Sequence, residues 1–131
     1  MILVDTSVWK VALHRGQSDE ALGLRALLDS DQVALATPVR IEILSGTRAS
    51  DLPRLRRVLS ALPQFSSGAG TWERIEAFVM EAVPAGERFG VADLLIAAIA
   101  AENEHEVWSL DGDFARMARL GFVRVIDASA T

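Results

Sequence analysis

The chain has 131 residues, half of them hydrophobic, and no cysteine. This length and composition fit one domain, residues 1–131, whose core needs no disulfide staples, and they exclude thiolate metal sites and cysteine nucleophiles. A formal net charge of −5 counts against a pure nucleic-acid-binding module, because neutralised phosphates supply most of that affinity; it counts less against a nuclease whose clustered acids are partly neutralised by metal.

Ile2-Leu3-Val4 is a short apolar, β-branched run that reads as a buried strand ending at Asp5. Thr6 or Ser7 is placed to cap the turn that follows, and Asp5 itself is a candidate cap. Ser18-Asp19-Glu20 opens an amphipathic helix to about Leu28. Val33 to Ala36 is a second strand, and Thr37-Pro38 reads as a cap and first helical position of a helix that reaches Ser45 and stops at Gly46. Ser50-Asp51 starts another helix, closed by Pro63. A small polar loop follows from Gln64 to Gly70, with Phe65 marking a short strand.

Thr71 to Val83 is helical until Pro84-Ala-Gly86 breaks it. Val91 to about Asn103 is apolar nearly all round and therefore central. Val107 to Leu110 is a strand, Asp113 to Leu120 a short helix ended by Gly121, and Val123 to Ile126 a last strand. Short apolar strands alternating with helices predict a parallel sheet covered on both faces. The longest apolar stretch, Val91 to Ala101, contains Asp93 and is about half a membrane span, and the N-terminus lacks a secretory pattern. The expectation is a soluble, cytoplasmic protein without membrane contact.

In an open α/β sheet, ligands bind beyond the carboxyl ends of the strands. Asp5 ends the first strand, and Asp111 and Asp113 follow Leu110. Glu42 and Asp93 are acids set in otherwise apolar helix. Each has a structural alternative: Asp5 and Asp113 as helix caps, Glu42 paired with Arg40 or Arg48 or pointing to solvent, Asp93 capping or starting the buried helix or balancing Arg88. Lys10 is the one lysine against twelve arginines, and no arginine lies within three positions of Asp93. Converging carboxylates without cations raise one another's pKa values, and a divalent ion with all-oxygen ligands resolves that conflict. His14 and His105 belong to no motif and read as surface residues, and the Arg54, Arg56, Arg57 cluster reads as a solvated helix face.

Assembled, these residues resemble the PIN-domain family, and within it the VapC-type toxins of bacterial toxin–antitoxin pairs. MILVDTSVW is similar to the family's first motif, Ile41-Glu-Ile-Leu-Ser-Gly46 to the second, Gly90-Val-Ala-Asp-Leu-Leu-Ile-Ala-Ala98 to the third, and Trp108-Ser-Leu-Asp-Gly-Asp-Phe114 to the fourth, with Ser109 where the family usually has threonine. The resemblance implies a three-layer α/β/α fold with a five-stranded parallel sheet. It implies an Mg²⁺- or Mn²⁺-dependent endoribonuclease whose acids are Asp5, Glu42, Asp93 and Asp111, with Asp113 accessory. It also implies a cognate VapB-type antitoxin and a homodimer. Thr6, Ser7 and Ser109 would support the carboxylates, and Arg40 and Arg48 are the candidate RNA contacts. Water or hydroxide would be the nucleophile, so the RNA 2′-hydroxyl need not take part, and the expected products carry 5′-phosphate and 3′-hydroxyl ends. Two rivals stay open: a phosphotransfer or dehalogenase-like enzyme with Asp5 as nucleophile, and an inactive PIN-like interaction module.

Overall fold

A computed structural model describes residues 1–130. Its sheet is parallel, with β1 (Ile2–Val4), β2 (Val33–Ala36), β3 (Gln64–Phe65) and β4 (Glu106–Trp108) in the order β3-β2-β1-β4. Around it pack α1 (Thr6–His14), α2 (Asp19–Asp29), α3 (Thr37–Ser45), α4 (Leu52–Ser60), α5 (Ala69–Ala82), α6 (Val91–Glu102) and α7 (Gly112–Arg119). The strands are apolar without alternation because β1 and β2 are buried along their whole length. Leu3 pairs with Ala34 on one side and Val107 on the other, which makes β1 the middle of the register.

This order matters for function. From β1 the chain moves outward through β2 to β3, then returns to β4 on the opposite side of β1. The reversal leaves a crevice at the carboxyl ends of β1 and β4, the place where open α/β sheets bind ligands.

The core gathers Leu3, Leu35, Leu59, Ile96, Ile99, Trp108, Phe114 and Met117, all fully buried. Helix α6 is central as its all-round apolarity predicts, with Ile96 to Ala100 buried without a break.

Several expected boundaries shift, each for a local reason. The fifth strand, expected at Val123 to Ile126, is one parallel bridge between Val107 and Val125. Phe122 and Val123 turn into the core, with Phe122 stacked on Phe78 at 4.3 Å, so the segment does not run on along β4. Strand β4 ends at Trp108 rather than Leu110, because Ser109 and Asp111 enter the crevice network described below. Helix α5 begins at Ala69 rather than Thr71: the Thr71 hydroxyl accepts from the Gly68 N–H and extends the first turn backward. Ala36 rather than Thr37 is the N-cap of α3, and the Thr37 hydroxyl meets Ser66 instead. His105 is buried, not a surface residue.

The C-terminal tail is strapped to α2. Ala130 N–H donates to the Asp19 carbonyl, and the Ala128 carbonyl oxygen lies 2.0 Å from where a Cβ on Gly23 would stand. Only glycine admits that approach.

Candidate active site

Asp5 follows the last residue of β1 and is the N-cap of α1. Its carboxylate is buried, with the residue 6% exposed, yet only because it is well supplied with donors. Oδ2 accepts from the Ser7 hydroxyl at 2.8 Å, the Ser109 hydroxyl at 2.8 Å and the Ser7 N–H at 3.4 Å. The N-terminal end of α1 adds a favourable partial positive charge.

The two serines work in both directions. Ser7 Oγ accepts from Leu110 N–H at 2.9 Å, and Ser109 Oγ accepts from Asp111 N–H at 3.0 Å. Each hydroxyl has one proton. With both protons committed to Asp5, the 3.2 Å approach of Ser7 Oγ to Ser109 Oγ is packing. Thr6 takes no part: its hydroxyl is buried and has no hydrogen-bond partner among the described residues.

Asp111 is the N-cap of α7, its Oδ1 accepting from Asp113 N–H at 2.9 Å. The cap expected at Asp113 therefore belongs to Asp111, and Asp113 sits in the first turn of the helix. Asp93 lies in the first turn of α6. Asp93, Asp111 and Asp113 each offer an oxygen within 4.8 Å of the others. Burial, a hydrogen bond to Asp113, and the charges of Asp111, Asp113 and Asp5 push the Asp93 carboxyl from its ordinary 3.8 up to about 7.

One cation does reach this cluster, and the sequence reading missed it. Arg116 donates one amino group to Asp113 and the other to Glu87, and its guanidinium lies 4.7 Å over the Phe89 ring. The Arg116 guanidinium holds the Asp113 carboxyl below its ordinary value. The three-residue helical spacing of Asp113 and Arg116 was the available signal.

None of the other candidates belongs to the group of acids whose oxygens meet within 4.8 Å. Glu42 is exposed on α3, and its carboxylate has neither a hydrogen bond nor an ion pair among the described residues. Arg40 donates to Gln64 and Ser60, and Arg48 pairs with Asp51, so neither engages Glu42. His14 is exposed at the end of α1, whereas His105 precedes β4, at the end of the sheet opposite the acids. Lys10 lines a separate groove of about 720 Å³ between α1, α3 and α4. That placement, with Asp5 locked by two hydroxyls, disfavours Asp5 as a nucleophile. Three carboxylate oxygens at this spacing, with a fourth acid beside them, fit a hard divalent cation.

Residues 2–120 match the family described as PIN domain. The chain belongs to the PIN-domain family. Among curated PIN relatives, VapC ribonuclease Mb1587 of Mycobacterium bovis is 32% identical, over 92% of this chain and 93% of its own. Ribonuclease VapC18 of Mycobacterium tuberculosis is 34% identical, over 89% and 87%. The fold is shared with a chain in the crystal structure of VapBC2 from Rickettsia felis bound to a fragment of promoter DNA, at a TM-score of 0.77, 19% identity and 97% and 98% coverage. Asp5, Asp93, Asp111 and Asp113 thus lie at the switch point of the parallel sheet. Among the described residues, no helix is long and apolar enough to cross a membrane.

Proposed function

We propose that this PIN-domain chain is a divalent-metal-dependent endoribonuclease, the toxin of a VapBC-type pair. The observation that carries it is the convergence of Asp5, Asp93, Asp111 and Asp113 from three segments of chain on one crevice, in a protein whose relatives are named VapC ribonucleases.

Asp93 and Asp111 would hold the cation, Mg²⁺ or Mn²⁺, with Asp5 completing the set and Asp113 accessory. When bound, the cation lowers the pKa of water and stabilises charge developing on the phosphate oxygens. The chain's own residues do the rest. Ser7 and Ser109 fix the Asp5 carboxylate in one orientation. Asp111 is exposed, which leaves the crevice open to a strand of RNA. Glu42, exposed and unengaged, is the candidate to orient the attacking water. RNA contact by Arg40 or Arg48 requires release of their present partners.

Attack by water leaves the 2′-hydroxyl a bystander; water adds to phosphorus, the bond to the 3′-oxygen breaks, and the products carry 5′-phosphate and 3′-hydroxyl ends. A VapB-type antitoxin belongs to the same proposal, supported by structural neighbours that include VapBC2 from Rickettsia felis and a toxin–antitoxin complex from Klebsiella pneumoniae; a homodimeric toxin and a cytoplasmic setting are proposed with it. The test is cleavage of cellular RNA by purified chain with Mg²⁺, Mn²⁺ or chelator, with the ends mapped. Cleavage that survives chelation, or 2′,3′-cyclic phosphate ends, would overturn it.

A further inference from the structure

We infer that Arg116 is a positioning residue that keeps Asp113 out of the cation's immediate ligand set, so that coordination positions stay open for water and RNA phosphate; this rests on the metal-dependent reading above.

Asp111 and Asp113 look equivalent in sequence, two residues apart and both acidic. The structure separates them by their partners. Asp111 gives one oxygen to a backbone cap, is exposed, and contributes an oxygen to the cluster. Asp113 gives Oδ1 to the Arg116 guanidinium. A charge-assisted bond of that kind is among the stronger hydrogen bonds; coordination through Oδ1 requires its release or sharing, and the guanidinium beside Asp113 opposes a second cation there.

Arg116 is itself held in place. Glu87 takes its second amino group, and Phe89 lies beneath its flat face. Glu87 and Phe89 belong to the segment that leads from α5 into α6, six and four residues before Asp93. Arg116 therefore ties the segment carrying Asp93 to the helix carrying Asp111 and Asp113. Its planar fork serves both acceptors at once, while its charge is what holds Asp113.

The experiment titrates Mn²⁺ into RNA-free protein, reading free Mn²⁺ by electron paramagnetic resonance and the waters left on the bound ion by water-proton relaxation. Arg116→Gln frees Asp113 and is expected to bind Mn²⁺ about tenfold tighter, with fewer waters on the ion. The double variant Arg116→Gln, Asp113→Asn leaves the local net charge unchanged, and its affinity is expected within about threefold of the parent. Arg116→Lys keeps the charge beside Asp113 and is expected to keep the parent's hydration number, which serves should the glutamine variant fail to fold.

Unchanged or weaker binding in Arg116→Gln overturns the inference, as does fewer waters in Arg116→Lys. A double variant about tenfold weaker than the parent also overturns it, because Asp113 would then be a ligand already. A parent chain that binds no Mn²⁺ at all sinks the metal-dependent reading itself, a separate outcome from these.

Discussion

Ser109, just past β4, donates its hydroxyl proton to Asp5, just past β1, at 2.8 Å across the crevice where the strand order reverses. One hydrogen bond thereby joins the first and fourth acidic segments of the chain. Ser109→Ala removes it and leaves a buried carboxylate short of a donor. Cleavage is expected to fall about 10- to 100-fold, the usual effect of losing a partner that orients a metal-binding group. Ser109→Thr keeps the hydroxyl and is expected to stay near the parent rate. Initial-rate assays on a defined RNA at saturating Mg²⁺ compare the three.

Asp93→Asn separates function from stability. Cleavage is expected to drop below detection, because the amide carries no charge for a cation. The metal-free protein is expected to melt at a higher temperature at pH 8, since a carboxylate crowded by Asp111, Asp113 and Asp5 becomes neutral. A thermal scan in chelator checks the second half. A lower midpoint at pH 8 would mean that Asp93 is not under this charge pressure.

The raised Asp93 pKa fixes a sign. The folded chain holds this proton up to about pH 7, against an ordinary value of 3.8. Its contribution to metal-free stability is present below 3.8 and lost as pH rises through about 7. Cation binding must displace the same proton. Mn²⁺ affinity is therefore expected to rise with pH up to about 7 and then level off, with proton release on binding below that point. Calorimetry in buffers of different ionisation enthalpy measures the release.

His105 gives the opposite sign at the other end of the sheet. Burial and the N-terminal ammonium hold its pKa below the ordinary 6.5. Neither ring nitrogen has a hydrogen-bond partner among the described residues, so the neutral ring is the form the fold accepts. Its contribution to stability is present above 6.5 and lost as pH falls through the lowered folded value. His105→Phe is expected to flatten the stability profile on the acid side of 6.5 relative to the parent. Urea midpoints at several pH values, with chelator present throughout, provide the comparison.

Gly23→Ala tests the tail strap. A methyl group 2.0 Å from the Ala128 carbonyl oxygen forces the backbone of the tail away from α2. The expected loss is about 1–3 kcal/mol, as for other overpacked sites, without change in the ratio of kcat to KM measured below the melting range. Denaturant unfolding and protease sensitivity of the last residues report it.

The sequence by itself determined the frame of this protein. Ile2–Val4 and Val33–Ala36 are strands because short β-branched and apolar runs bury on both faces, and α6 is central because no polar stripe interrupts it. Asp5, Asp93 and Asp111 were legible as a set, since acids at strand ends and in apolar helix have few tolerable explanations. Tertiary structure alone decided how those acids are partnered. Arg116 reaches Asp113 and Glu87 together only because α7 packs beside the segment preceding α6, a contact between residues 29 positions apart. Glu42 shares the apolar context of Asp93 but lies on the exposed side of α3, and His105 is buried despite having no motif. Hydrophobic pattern follows local periodicity, whereas the pairing of charges follows distance through space, and distance is set only when the helices have packed.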